Sequence, residues 1–481
     1  MTSTTEPVAT RRLSGQLGTG AIVFMVMAAA APLTVIGGNV PLSVAVGNGV
    51  GAPVGFIIAA VVLLLFAVGF VTMTPFVKEA GAFFSYVTVG LGSRAGLGTA
   101  FVALVAYTAI QVGIYGYMGW AANDLVTYLG GPEISWWVYS FVTVGIVAVL
   151  GYRHIELSSK VLGVALALEI SIMVALDVAI FVRGGADGPV LSTFAPSNVF
   201  DPGIGVAVLF ALTGFIGFEA TAVFRDEARD PERTIPRATY LAVTIIGVFY
   251  AISSWALVTD AGAARAVAVA QRTLDGTGNM MLDAAASNLG TGLRNVMNIL
   301  LITSLFACVL SFHNVIARYQ FNLSNKGVFP SRLGEMNPRH GAPSFSSVIQ
   351  TVSATLLLVV FVVVGLDPLV GVFGSMAGVA TVGMVLLMTL TSVAALVFFA
   401  RRPELSDSRR LATRIIPAVA VVGLLASLWL VISNFDLVTG SGPGVGAVLA
   451  LIPVVAFAAG AALGGRFPLT VVEEAQPADI D

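Results

Sequence analysis

A single cysteine, three histidines and very few charged side chains stand in a chain of 481 residues, and each scarcity removes a class of function. Cys308 has no second cysteine to pair with, so no intrachain disulfide can form. His154, His313 and His340 are too scattered for metal-ligand spacing. Lysine occurs only at Lys78, Lys160 and Lys326, none preceded by glycine, so the chain lacks the Gly-Lys-Ser/Thr phosphate loop of an ATPase. Charged residues are 10% of the chain, against about 25% in soluble domains. The net charge of -2 offers no basic field to nucleic acid. No clustered catalytic set of His, Asp and Glu is visible, no cofactor or metal is expected, and the chain is not read as an enzyme.

What is abundant is apolar. Hydrophobic residues make up 57% of the chain and the mean hydropathy is +0.94, so the expected solvent is a bilayer. Apolar stretches of about 20 residues give twelve runs, near 20–46, 52–76, 97–129, 134–151, 158–182, 204–224, 235–260, 294–321, 346–366, 369–399, 412–434 and 443–465. The expected fold is therefore an all-α integral membrane protein with twelve transmembrane helices. Residues 1–18 read as a cytoplasmic N-terminal segment, 19–466 as the transmembrane domain and 467–481 as a polar, acidic cytoplasmic tail. With the N-terminus inside, only Arg183, Arg265, Arg272 and Arg294 of the 24 Lys and Arg fall outside. That bias is the one that sets orientation, so both termini are expected in the cytoplasm of a cell-membrane protein. The first run is too long for a signal-peptide core, and Arg11-Arg12 read as inner anchors rather than a twin-arginine signal.

Two runs are interrupted near their middles. The first carries Ala31-Pro32-Leu33-Thr34-Val35-Ile36-Gly37-Gly38, and the sixth carries Thr213-Gly214-Phe215-Ile216-Gly217-Phe218-Glu219. Proline and glycine free backbone groups that lipid cannot satisfy, so such breaks survive at membrane depth only inside protein or beside a watery cavity. Corresponding breaks in two halves of a chain point to a secondary carrier's midplane site. The alternative reading of Pro32 is a simple kink in a packed helix.

Three segments carry a family resemblance. Glu79-Ala80-Gly81-Ala82-Phe83-Phe84-Ser85-Tyr86 follows the second run. Gly217-Phe218-Glu219 precedes Asp226-Glu227-Ala228-Arg229-Asp230-Pro231-Glu232-Arg233-Thr234-Ile235-Pro236-Arg237-Ala238. Arg318-Tyr319 and Gly327-Val328-Phe329-Pro330 follow the eighth run. In order and spacing these resemble the signature segments of the amino acid-polyamine-organocation permeases. Ala82 stands where that pattern has a second glycine, Asn325-Lys326 replaces Arg-Asp, and the first helix lacks the usual G-x-G break. The resemblance implies a leucine-transporter-like fold, with helices 1–5 and 6–10 as inverted repeats and 11–12 peripheral. No internal sequence repeat is visible.

A broken helix offers N–H donors to a carboxylate and carbonyls to an ammonium. On that logic Thr34, Val35, Ile36, Gly37 and Gly38 would cradle a substrate carboxylate, while Ala30, Ala31 and the backbone of Leu212, Thr213, Gly214 and Phe215 would face its amine. Phe210 and Phe215 flank the second break and are candidate aromatic gates, with core packing as the alternative. Glu169 lies 11 positions after Ser158, near mid-bilayer at about 1.5 Å per residue. An ionisable group there is a functional hypothesis by default. Desolvation favours the neutral form of a carboxyl, so Glu169 is the first candidate for proton coupling. By resemblance it falls where proton-coupled relatives place a fifth-helix lysine. A bonded structural glutamate is the alternative. Glu219 is read as a structural, gating or relay carboxyl, and Asp177 as solvated near the outer end. In the eighth run Ser304, Ser311, His313 and Asn314 could face the first helix, and Ser311 is preferred as the coupling contact. Tyr107, Gln111 and Tyr115 share a face of the third run and would line a vestibule.

The function these features suggest is secondary active transport of an amino acid or related organic amine by alternating access, with protons as the favoured coupling ion and sodium as the alternative. A major-facilitator carrier is disfavoured by the short loop between the sixth and seventh runs. A channel lacks a recognisable filter.

Overall fold

In the computed structural model the described residues are 17–77, 82–153, 159–219, 221, 227–406, 409–439, 443–467 and 469. Glu79, Ala80, Gly81, Ser158, Asp226, most of the N-terminal segment and most of the tail lie outside them. Among the described residues the chain is helical, with eleven helices long and apolar enough to cross a membrane. We label the spans in chain order α1 (Thr19–Ala45), α2 (Gly49–Phe76), α3 (Ser93–Tyr128), α4 (Trp136–Arg153), α5 (Val161–Arg183), α6 (Ile204–Thr213), α7 (Pro231–Ala261), α8 (Thr291–Asn325), α9 (Ser344–Val364), α10 (Pro368–Ala400), α11 (Leu411–Ser433) and α12 (Gly444–Leu463). The chain is a multi-pass membrane protein.

The twelve expected runs agree in place with these eleven spans and the shorter apolar helix α6, with one instructive difference. The sixth run extends to 224, but its helix stops at Thr213 and gives way to consecutive turns through Glu219. Short helices Ala82–Leu91, Ala266–Leu274 and Met280–Leu289 add to the runs. Met280–Leu289 begins with a reciprocal cap in which Asn279 Oδ1 accepts the Leu282 N–H and Asp283 Oδ2 accepts the Asn279 N–H.

Lipid tails are as apolar as leucine, so helices in a bilayer associate through close packing at small residues rather than through an apolar stripe. α3 illustrates this. It is the most buried long span and packs against α8, α10 and α12. A Cβ built on Gly98 would stand 2.8 Å from the Phe457 ring of α12, and one on Gly116 would stand 2.8 Å from Val372 on α10. α4, α9, α11 and α12 are the least buried and form the periphery. Their outward faces carry Val142, Leu356, Trp429 and Val455, as a lipid-facing surface requires.

Gly98→Leu is expected to push α12 off α3 and destabilise the bundle by about 1–3 kcal/mol, the usual effect of overpacking. A thermal-unfolding scan in detergent checks it, and an unchanged Tm would show that α12 does not depend on this contact.

Candidate functional site

The two breaks lie against each other. In α1 the chain turns at Ala31, whose φ of 47° is the one positive φ of a non-glycine among the described residues. Pro32 opens the second half-helix without an N–H to lose, and Val35–Asn39 follow as a π-turn. A Cβ on Gly214 would lie 2.8 Å from Val35 and one on Gly217 3.4 Å from Ala29, so the α6 turns rest on the α1 break.

Side chains and tight turns take up the backbone groups that these breaks release. The Tyr250 hydroxyl of α7 donates to the Ala30 carbonyl at 3.1 Å. Asn39 Nδ2 donates to the Phe210 carbonyl at 2.8 Å, joining the π-turn to the last turn of α6. Past Thr213 the N–H groups of Gly214, Phe215, Ile216 and Phe218 bond three residues back. Gly217 sits at φ 112°, and its N–H donates to Glu219 Oε2 at 2.9 Å. Glu219 Oε1 accepts the Tyr107 hydroxyl of α3 at 2.6 Å. Both carboxylate oxygens of Glu219 are thus committed to holding the turn.

Glu169 of α5 is 4% exposed and stands on the other side of the α1 break. The Ser304 hydroxyl of α8 donates to its Oε2 at 3.0 Å, and the backbone amide of Leu33 reaches the same carboxyl group. Thr34 Oγ1 donates in turn to Ser304 Oγ at 3.5 Å. Three helices are therefore linked through Thr34, Ser304 and Glu169.

Two cavities flank this link. A central cavity of about 20 Å³, room for about one water, is lined by Thr34, Val35, Asn39, Thr213, Cys308, Phe312 and Phe373 among others. Its lining carries no charged side chain. A larger apolar cleft of about 300 Å³ runs between α5 and α8, lined by Leu162, Leu166, Ile302 and Phe306, and it reaches Glu169 and Ser304. Thr34 faces the cavity and Ser304 faces the cleft.

Of the candidates read from sequence, Thr34, Val35 and Thr213 line the central cavity, as do Ala29 and Ala30. Ala31, Ile36, Phe210, Leu212 and Gly214 are buried around the breaks without lining it. Gly37 and Gly38 turn to Tyr117 instead: a Cβ on either would stand 2.7 Å from its phenol. Phe215 packs edge-on to Tyr250, ring centroids 5.9 Å apart, and lies away from the cavity. Ser311 is exposed, and Ser304 is the α8 serine that reaches α1. Asp177, expected at a solvated outer end, is 5% exposed and accepts Ser253 Oγ at 2.6 Å. Gln111 and His313 belong to a buried polar chain in which Gln350 Nε2 donates to Gln111 Oε1 at 2.6 Å and His313 Nε2 meets Ser347 Oγ at 2.8 Å. Sequence reasoning missed Asn39, Phe312, Phe373 and Tyr250. Asn39 carried a usable signal, an amide within a run of apolar residues and glycines.

This geometry separates the two aromatic roles. Phe312→Ala should raise the KM for transported substrate with little change in Tm, because its ring walls the cavity, whereas Phe215→Ala should lower Tm with KM unchanged. Initial-rate uptake together with thermal unfolding distinguishes them, and a KM effect confined to Phe215 would reverse the assignment.

Comparisons with known proteins place the chain in a family. The family described as Amino acid permease matches residues 17–459. The branched-chain amino acid permease BcaP of Bacillus subtilis is 23% identical over 81% of this chain and 82% of its own length. The amino-acid permease RocE of the same organism is 23% identical over 50% of this chain and 54% of its own. The low-affinity putrescine importer PlaP of Escherichia coli is 24% identical over 48% and 50%. With the match running from the residues before the first broken helix into the twelfth span, the chain belongs to the amino acid permease family.

Proposed function

We propose that this protein is a secondary active carrier that moves a neutral, apolar α-amino acid across the cell membrane by alternating access, coupled to protons through Glu169. Membership of the permease family supports a transporter and argues against an enzyme. The observation that carries the finer reading is the link from Thr34 on the cavity wall through Ser304 to Glu169.

The substrate class follows from the lining. Thr34, Asn39 and Thr213 are its polar side chains, and Ile110, Ile114, Ile216, Phe312 and Phe373 supply the rest of its character. An α-amino acid presents one carboxylate and one ammonium that backbone groups at two helix breaks can receive. Its side chain would meet only apolar surface. A diamine would bring a second ammonium to walls that hold no carboxylate, which favours the activity named for BcaP over that named for PlaP.

Glu169 supports the coupling. While ionised it accepts from Ser304 and attracts the Leu33 amide at the positive start of a half-helix. Protonation removes that attraction and loosens the α1 break from α5 and α8, and the cleft reaches the carboxyl group. Glu219 and Tyr107 position the α6 turn, and sodium is the alternative coupling ion. The concentration of Lys and Arg in alternate loops supports both termini in the cytoplasm.

Counterflow in proteoliposomes tests the carrier: accumulation of labelled L-leucine against unlabelled L-leucine is expected, and dissipation without accumulation would indicate a channel. Wild-type uptake should be driven by an inward acid gradient. Glu169→Gln should abolish that dependence and stop net uptake while exchange continues. Wild-type pH dependence in the variant, or a sodium requirement in the parent, would remove Glu169 from the coupling role.

A further inference from the structure

Beyond the α1 break, on the side that the proposed orientation makes external, several polar atoms are buried without a hydrogen-bond partner among the described residues. They include Tyr117 Oη and Asp124 Oδ2 on α3, and Arg294 Nη1, Asn295 Oδ1 and both amide atoms of Asn298 on α8. Buried polar groups are almost always bonded, so a cluster of orphans asks for an explanation. Tyr117 and Asp124 are seven residues apart and Arg294 and Asn298 four apart, so each pair shares one helix face. α3 and α8 pack against each other.

Tyr117, Asp124 and Arg294 run outwards as a column, with Asp124 within electrostatic reach of both. At its outer end Arg294 is only 5% exposed, although the sequence places it at the outer edge of the eighth run. Its guanidinium lies 3.1 Å over the Tyr128 ring. Asp124 is within electrostatic reach of Arg294 and touches the Asn279 side chain. The two opposite charges attract without a direct ion pair, and each keeps an unused hydrogen-bonding atom. At its inner end the Tyr117 hydroxyl, Met281 and Leu301 converge on Gly37, at the rim of the α1 break.

We infer that this column is an outer docking site for the zwitterionic head of an α-amino acid, occupied before the central cavity, with Arg294 receiving the carboxylate and Asp124 the ammonium. This rests on the carrier reading above. A guanidinium fork matches a carboxylate in two parallel hydrogen bonds, and a carboxylate oxygen suits an ammonium. A zwitterion carries both charges on one carbon and so satisfies both orphans at once. An amine without a carboxylate leaves Arg294 unpaired and repels it. Asn298 and the Tyr117 hydroxyl then offer the next hydrogen bonds towards Gly37. Binding here replaces the attraction between Asp124 and Arg294 that helps hold α3 to α8, so the ligand favours the separated arrangement through its own contacts.

The test uses the full chain, reconstituted in liposomes with known orientation. The substrate is the amino acid that counterflow identifies, L-leucine being tried first, and its decarboxylated amine serves as competitor. Arg294→Gln should raise the KM for entry from the external face by about tenfold or more, the loss expected for a charge-assisted hydrogen bond, while the KM for exit stays unchanged. Arg294→Lys should recover part of the loss. The amine, a poor competitor of the parent protein, should compete better against Arg294→Gln. Asp124→Asn, nearly isosteric, should raise the same KM and carries the test if Arg294→Gln does not fold. An unchanged external KM with a native Tm overturns the docking site. So does an equal rise at both faces, which marks a latch that only holds the helices together. Failure of the parent protein to exchange any amino acid would instead overturn the carrier reading.

Discussion

A backbone that stops being helical inside a bilayer must find other partners for its N–H and C=O groups, and that constraint organises the middle of this molecule. The Ala30 carbonyl takes Tyr250, the Phe210 carbonyl takes Asn39, the Gly217 N–H takes Glu219 and the Leu33 amide faces Glu169. Tyr250, Asn39 and Glu169 reach across from another helix, while Glu219 closes its own turn and is held in place by Tyr107 of α3. Satisfying the backbone therefore fixes α1, α5, α6 and α7 around one point, and the central cavity is the space that remains there.

The two carboxylates at this point divide the work by how completely they are bonded. Glu219 has one oxygen on Tyr107 and the other on its own turn, so its charge is spent on geometry. Glu169 shares a serine hydroxyl with the cavity wall and adjoins an apolar cleft, an arrangement in which gaining or losing a proton changes the neighbours' bonding. The lopsided bonding makes Glu169 the better candidate for a group that titrates during a cycle, and it makes Glu219 the better candidate for a fixed pin.

How much of this could be read from the sequence follows from the bilayer's physics. Proline and glycine against an apolar background located both breaks, and residue count placed Glu169 in depth. Apolar residues gave no comparable guidance, because helices that are apolar on every face have no stripe to mark the cavity. Phe215 and Phe312 look alike in sequence, yet one packs on Tyr250 and the other walls the cavity. Ser304 and Ser311 are two turns apart on a similar face of α8, so helical phase could not choose between them. Only the level at which α8 passes Thr34 does so. Arg294 opens the eighth run as one of four outer cations, and nothing in the sequence marks its burial, which depends on how α3 and α8 converge.

The two ends of the bundle close by different physics. Near the start of α1, Leu17 donates its N–H to Glu227 and accepts from the Arg229 N–H, so the chain before α1 is stitched by backbone to the chain that follows α6. Glu219 and Tyr107 join the α6 turn to α3 a few residues away. Any opening there would have to part short, directional hydrogen bonds that respond little to salt. At the opposite end Asp124 interacts with Arg294 and Asp283 through charge, a weaker and longer-ranged force than those backbone hydrogen bonds. A carrier built this way would release its two gates by different means: the first by rearranging backbone partners, the second by giving two buried charges a better counterpart than each other.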